Sequence, residues 1–127
     1  DAFQNADVYC LPSYAENLPV SVLEAMAARL PVVGTPVAGT PEEIIEGTTG
    51  FMVAPGDRKG ITQRISQLLS DKNLRQSMGA AGRSRAEKHF DNEVVCQRLI
   101  GLWHEAIHAR TKDKPANFRP SDYNGAV

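Results

Sequence analysis

The sequence predicts an α/β chain: a three-stranded parallel sheet flanked by helices, followed by C-terminal helices. Two observations carry this. Short apolar runs bounded by Pro, Gly or polar residues stand at 8–12, 31–35 and 51–53, a length and setting that suit buried strands. Stretches with helical apolar spacing separate them, and after residue 70 helical spacing continues alone to about 110. Strands that alternate with helices imply parallel pairing through right-handed crossovers.

Taken in order, residues 1–6 read as the end of a helix and 8–12 as the first strand, stopped by Pro12. Residues 13–18 form a polar loop. Pro19 fits a first helical position, where its missing N–H costs nothing. Val20, Val22, Leu23, Met26, Ala27 and Leu30 then repeat as a buried stripe, and Pro31 stops the helix. Strand 31–35 leads into a turn at 36–39. Thr40, Pro41 and Glu43 read as cap, first-turn proline and capping-box acid of a short helix through Glu46, ended by Gly47. Strand 51–53 follows. Asp57, Asp71 and Asp91 each start a helix, the last carrying Val94, Val95, Leu99, Leu102, Trp103, Ala106 and Ile107. The domain reading is therefore one partial domain over 1–111 and a polar tail over 112–127, with no internal repeat.

Composition sets the bounds. The chain has 127 residues and is 42% apolar, enough for a real core. Lys plus Arg number 14 against 15 Asp plus Glu, a net charge of −1, which argues against broad nucleic-acid binding. The apolar runs are far shorter than a membrane span, and no basic-then-apolar leader is present. Cys10 and Cys96 stand far apart with no CxxC spacing, so a reducing, cytoplasmic setting is expected, with both thiols as small buried hydrophobes. The chain opens at Asp1, in mid-element, which reads as an excerpt of something longer.

In an open parallel sheet, ligands bind beyond the carboxyl ends of the strands. The loop 13–18 occupies that position and feeds a helix whose first N–H groups form an anion site. Pro19 donates nothing, which leaves Val20, Ser21 and Val22 as donors. Glu16 in the loop and Glu24 one turn into the helix flank that site, eight residues apart. A carboxylate beside phosphate donors can accept hydrogen bonds from sugar hydroxyls. The bland alternative is a dipole-favoured surface acid at Glu24 and a solvated loop acid at Glu16. Spacing alone does not choose between them.

The run from Glu16 to Glu24, ENLPVSVLE, resembles the E-x7-E signature of GT-B fold nucleotide-sugar glycosyltransferases, family 4 in particular. The blocks DVYCLPS (7–13), AMAARLPVV (25–33), GTPEEII (39–45) and GTTGFMVAPGD (47–57) are similar to that family in the same order, so the resemblance covers about residues 5–90. It implies half of a Rossmann-like domain, with the three strands as the fourth to sixth of a doubly wound sheet. It assigns Glu16 a catalytic place at the donor sugar's hydroxyls near the reacting carbon. Asn17, Leu18, Pro19 and Val20 would line sugar and pyrophosphate. Ser21 and Val22 would hold phosphate, and Glu24 would take the ribose hydroxyls. Asn-Leu-Pro stands where Gly-Phe-Gly is frequent.

The resemblance further implies sugar transfer with retention from a nucleotide-sugar to a glycan, lipid or small-molecule acceptor. No cofactor and no catalytic metal are expected. The family's acceptor-binding domain, the first half of the donor domain and its upstream Arg/Lys pair are not among these 127 residues, so little activity is expected of the chain alone. The rival reading is a freestanding, non-catalytic interaction module built on the same half-domain. Self-association as a homodimer is expected through the strand edge Val8–Leu11 or the terminal helices. Peripheral attachment to the inner face of a membrane is compatible with a cytoplasmic location. His104-Glu105-Ala106-Ile107-His108 spells HExxH on a helix, but lacks a convincing third ligand and a cleft around it. The charged run 83–88 reads as a solvated helix face.

Overall fold

The computed structural model describes residues 2–112. These fall into two compact units, divided between Asp91 and Asn92. The expected tail lies, but for its first residue, outside the described residues.

The first unit holds the sheet. After a 3-10 turn at Phe3–Asn5 come β1 (Tyr9–Leu11), α1 (Val20–Ala27), β2 (Val32–Gly34), α2 (Thr40–Glu43), β3 (Gly50–Met52), α3 (Arg58–Ser70) and α4 (Lys72–His89). The strands are parallel in the order β1-β2-β3, with Tyr9 opposite Val32 and Val32 opposite Gly50. This is the three-stranded parallel α/β architecture expected from the sequence.

Alternation along β2 divides the core in two, because successive side chains leave opposite faces of a sheet. Val32 joins Val22, Ala25, Met26, Leu30, Ile44 and Ala86 on the side covered by α1, α2 and α4. Val33 joins Phe51, Val53, Leu68 and Met78 on the side covered by α3 and the start of α4. Asp57 caps α3 by accepting from the Gly60 N–H, and Asp71 caps α4 by accepting from the Leu74 N–H, each at 2.9 Å. Both caps stand where the sequence places them.

The ends of the shorter helices differ from expectation. Pro19 is the cap of α1, at φ −73° and ψ 102°, not its first helical residue. The helix stops at Ala27, ahead of Pro31. Leu30 donates to the Ala25 carbonyl and Arg29 to that of Met26, a Schellman closure with Arg29 in the left-handed position at φ 63°. Val20, expected on the buried stripe, is 65% exposed at the open end of the helix. The capping box at Thr40 does not form. Gly39 is the cap, no side chain caps α2, and the helix ends at Glu43 because Ile44 turns extended to bury its side chain.

Three arginines of α4 close the ends of the other helices. Arg75 donates to the Leu68 and Leu69 carbonyls of α3 at 2.8 Å each, and Arg83 donates to the Ala27 carbonyl of α1. Arg85 donates to the Glu43 and Glu42 carbonyls of α2 at 2.8 and 2.5 Å. The reading of 83–88 as a merely solvated face is thus corrected for Arg83 and Arg85. A guanidinium satisfies carbonyls that a helix end leaves open and meets the negative end of its dipole.

The second unit is built on α5 (Asn92–Lys112). Leu99, Leu102, Trp103 and Ile107 are exposed on it. Cys96, expected to be buried, is exposed as well, whereas Cys10 on β1 is half-buried and burial pushes its thiol up. His104, Glu105 and His108 are exposed on the same helix. Among the described residues no helix is long and apolar enough to cross a membrane.

Candidate functional site

The loop from Pro12 to Pro19 leaves the carboxyl end of β1 and is tied from below at three points. Thr35, just past β2, donates its hydroxyl to the Ser13 carbonyl at 2.5 Å. Ser13 then donates its own hydroxyl to Glu16 Oε1 at 2.6 Å, which orients that carboxylate. The Gly39 N–H donates to the Asn17 carbonyl at 2.6 Å, joining the loop to the approach of α2. A Cβ on Gly39 would overlap that carbonyl, so only glycine allows the two backbones this close.

The loop delivers the chain to α1 with Pro19 buried and Asn17, Leu18 and Val20 exposed. Val20 and Ser21 carry the first N–H groups of the helix. The Val22 N–H, expected to hold phosphate, is already donated to the Pro19 carbonyl at 2.9 Å. That tight first turn withdraws Val22 from the donor set, and its side chain is wholly buried in the core. Ser21 Oγ accepts a hydrogen bond from the Tyr9 hydroxyl at 2.8 Å, which fixes the start of α1 against β1.

Glu16, Asn17, Leu18, Pro19, Val20 and Ser21 are therefore gathered at one loop–helix junction on the carboxyl edge of the sheet. Glu24 lies further along α1. It is exposed and lines an open hollow of about 510 Å³ with Phe3, Gln4, Ala27, Ala28 and Arg83, a hollow that the Glu16–Val22 residues do not line.

Two further residues, Tyr14 and Glu43, have settings that their place in the sequence did not show. Tyr14 is 77% exposed in the loop, and its hydroxyl reaches across to the β3–α3 turn at Gly56. Glu43 is the larger surprise. Its side chain is completely buried, and both carboxylate oxygens, like Thr40 Oγ1, lack a hydrogen-bond partner in the protein. Burial first, then the charges of Glu16 and Glu42, push its carboxyl from 4.5 up to about 7. The i, i+3 spacing of Thr40 and Glu43 suits a capping box equally well, so only the observed start of α2 at Gly39 reveals the burial.

A parallel sheet whose carboxyl-edge loop enters a helix between two acids has the usual ligand-binding edge of an open α/β protein. Residues 1–85 match the family described as Glycosyl transferases group 1, and the chain belongs to that family. It is 33% identical over 101 residues to the capsular polysaccharide biosynthesis glycosyltransferase CapM of Staphylococcus aureus, covering 80% of this chain and 27% of that protein. The structure is similar to sucrose-phosphate synthase from Thermosynechococcus elongatus, with a TM-score of 0.78 at 29% identity, over 85% of this chain and 27% of that one. It also shares its fold with the Anabaena protein HepE, solved in complex with UDP-glucose. There the TM-score is 0.76 at 21% identity, over 82% of this chain and 29% of the other. The chain thus spans about a quarter of the length of CapM.

Proposed function

We propose that this chain forms the donor-binding part of a retaining glycosyltransferase that draws its sugar from a nucleotide-sugar. The observation that carries the reading is the junction of the Ser13–Leu18 loop with α1. A carboxylate held by Ser13 stands beside the open N–H end of an eight-residue helix, at the carboxyl edge of a parallel sheet.

The chemistry follows from the parts. The diphosphate of the donor carries negative charge, and that charge grows on the leaving oxygen as the sugar–phosphate bond breaks. The Val20 and Ser21 N–H groups and the positive end of the α1 dipole are fixed before the reaction and stabilise that charge. Glu16 accepts from the sugar's hydroxyls and stands near the carbon that develops positive character. Asn17 and Leu18 line the sugar, with Pro19 buried behind them, and Glu24 accepts from the ribose hydroxyls. No catalytic metal enters the reading, and the acceptor is a glycan, a lipid or a small molecule reached at the cytoplasmic side.

HepE, crystallised with UDP-glucose, supports a nucleotide-sugar as the ligand class. The test is a titration of the full chain with UDP, GDP and ADP, followed by two-dimensional amide NMR, which reports millimolar binding. The expected result is saturable shifts of the Glu16, Val20 and Ser21 amides with at least one nucleotide. Unmoved amides at this junction with all three would overturn the reading.

A further inference from the structure

Glu43 is a buried acid that the donor-site reading does not use. Its side chain is fully enclosed, neither carboxyl oxygen has a partner, and Thr40 Oγ1, one turn earlier on the same helix, is equally enclosed and unpartnered. A surface acid could turn to water, but this one is held in place. Arg85 pins the end of α2 through the Glu42 and Glu43 carbonyls. Thr40 packs its methyl toward Gly34 of β2, where Ile44 also sits. At the other end the Gly39 N–H is bonded to the Asn17 carbonyl inside the donor loop. So α2 and the loop that carries Glu16 are joined through the Gly39–Asn17 hydrogen bond, and the acid is buried four residues beyond that link.

We propose that Glu43 is a positioning residue of the donor site: as a neutral acid it leaves the Glu16 loop set to receive an anionic nucleotide-sugar, and as a carboxylate it opposes that ligand. The inference rests on the donor-binding reading. The charged groups around Glu43 are Glu16 from the loop after β1, Glu42 from its own helix, and Arg85 from α4. The Arg85 guanidinium is committed to the two carbonyls rather than to the carboxyl. Glu43 is fully buried with no cation paired to its carboxyl among the described residues, and the Glu16 carboxylate acts on it directly, so by reciprocity its charge acts on Glu16. The rise of its titration to about 7 places both states within reach near neutral pH. An anionic ligand binds more tightly to the protonated form, and by linkage its binding favours that protonation. Taken as a screened charge–charge repulsion, the coupling is on the order of fivefold in affinity.

The experiment compares the full chain with Glu43→Gln and Glu43→Met, both of which remove the titration, the second also filling the space without a polar group. UDP, GDP and ADP are titrated separately at pH ~6 and ~8, with the Glu16, Val20 and Ser21 amides as reporters. The nucleotide's own ionisation is common to all three proteins and cancels in the comparison. The expected result is that the unsubstituted chain loses about threefold more affinity than either variant on going to the higher pH, the part of the fivefold difference that titrates between those two values. If Glu43→Gln does not fold, Glu43→Met carries the comparison. Superimposable pH profiles would overturn the role of Glu43 and leave the donor site standing. Unmoved amides with every nucleotide would overturn the donor site and this proposal together.

Discussion

At the scale of single residues, the site sets one acid in the open and hides another. Glu24 is exposed beside a hollow on α1. We expect Glu24→Ala to weaken nucleotide binding by about 1–3 kcal/mol, the usual loss for a hydrogen bond to a charged group. Calorimetric or NMR titration with a nucleoside diphosphate checks this, and unchanged affinity would make Glu24 a plain surface acid. Glu43 makes a different prediction, about stability. Its folded-state value, about 7, lies above its ordinary 4.5, so the folded chain holds the proton more tightly than the unfolded chain. The resulting stabilisation is full below pH 4.5 and is lost as the pH rises through 7. We expect about 2–3 kcal/mol of stability to disappear between pH ~5 and ~8 on this account, and the slope to vanish in Glu43→Gln. Urea unfolding across that range measures it. Equal slopes in both proteins would show that Glu43 ionises freely in the fold.

At the scale of elements, α4 organises its neighbours through their ends as well as their sides. Its apolar face covers both core clusters, with Met78 on one and Ala86 on the other, while Arg75, Arg83 and Arg85 each close a different helix. Replacing Arg85 by Met keeps the aliphatic stem and removes both donors to α2. We expect a loss of about 1–2 kcal/mol, since two carbonyls lose a charged donor at a half-exposed position. Chemical denaturation measures this, and a shift within error would mean that water replaces the guanidinium at no cost. The closure of α1 offers the opposite sign. Arg29 holds a left-handed conformation at φ 63° that glycine adopts without strain. Arg29→Gly is expected to stabilise the chain by about 0.5–1 kcal/mol, visible as a higher melting temperature. A lower one would mean that the arginine side chain contributes more than its backbone strain.

At the scale of the whole molecule, β1 is an outer strand of the sheet and has β2 as its bonded neighbour. Its outer edge presents main-chain donors and acceptors beside half-buried Val8, Cys10 and Leu11. The α5 unit separately exposes Leu102 at 59% and Trp103 at 67%. An open strand edge and an exposed apolar helix each favour association. We expect the chain to form a concentration-dependent two-fold dimer. Light scattering coupled to size exclusion at several concentrations tests this, and a monomer throughout would show that the edge and the helix are protected.

The sequence by itself determined the architecture and most of the junction. Strand runs of three to five apolar residues, helix caps at Asp57 and Asp71, and the order of turns are local signals that no distant contact overrode. The E-x7-E run placed Glu16 and its neighbours through Ser21 at one loop–helix corner for the same reason, since a loop followed directly by a helix leaves little freedom. Contacts between distant segments are what only the tertiary structure decided. Thr40 and Glu43 have capping-box spacing, but the close approach of Gly39 to Asn17 moved the cap back one residue and turned both side chains inward. Arg83 and Arg85 sit in a charged run that looks solvated, yet α4 lies across the ends of α1 and α2 and turns them into caps. The Val22 N–H, expected among the phosphate donors, is taken by a local turn instead, a bond to the Pro19 carbonyl three residues earlier. For Glu43, Arg83 and Arg85 the deciding partner is a backbone atom of a distant segment brought near by folding, and backbone atoms leave no mark in the sequence that would betray their neighbours.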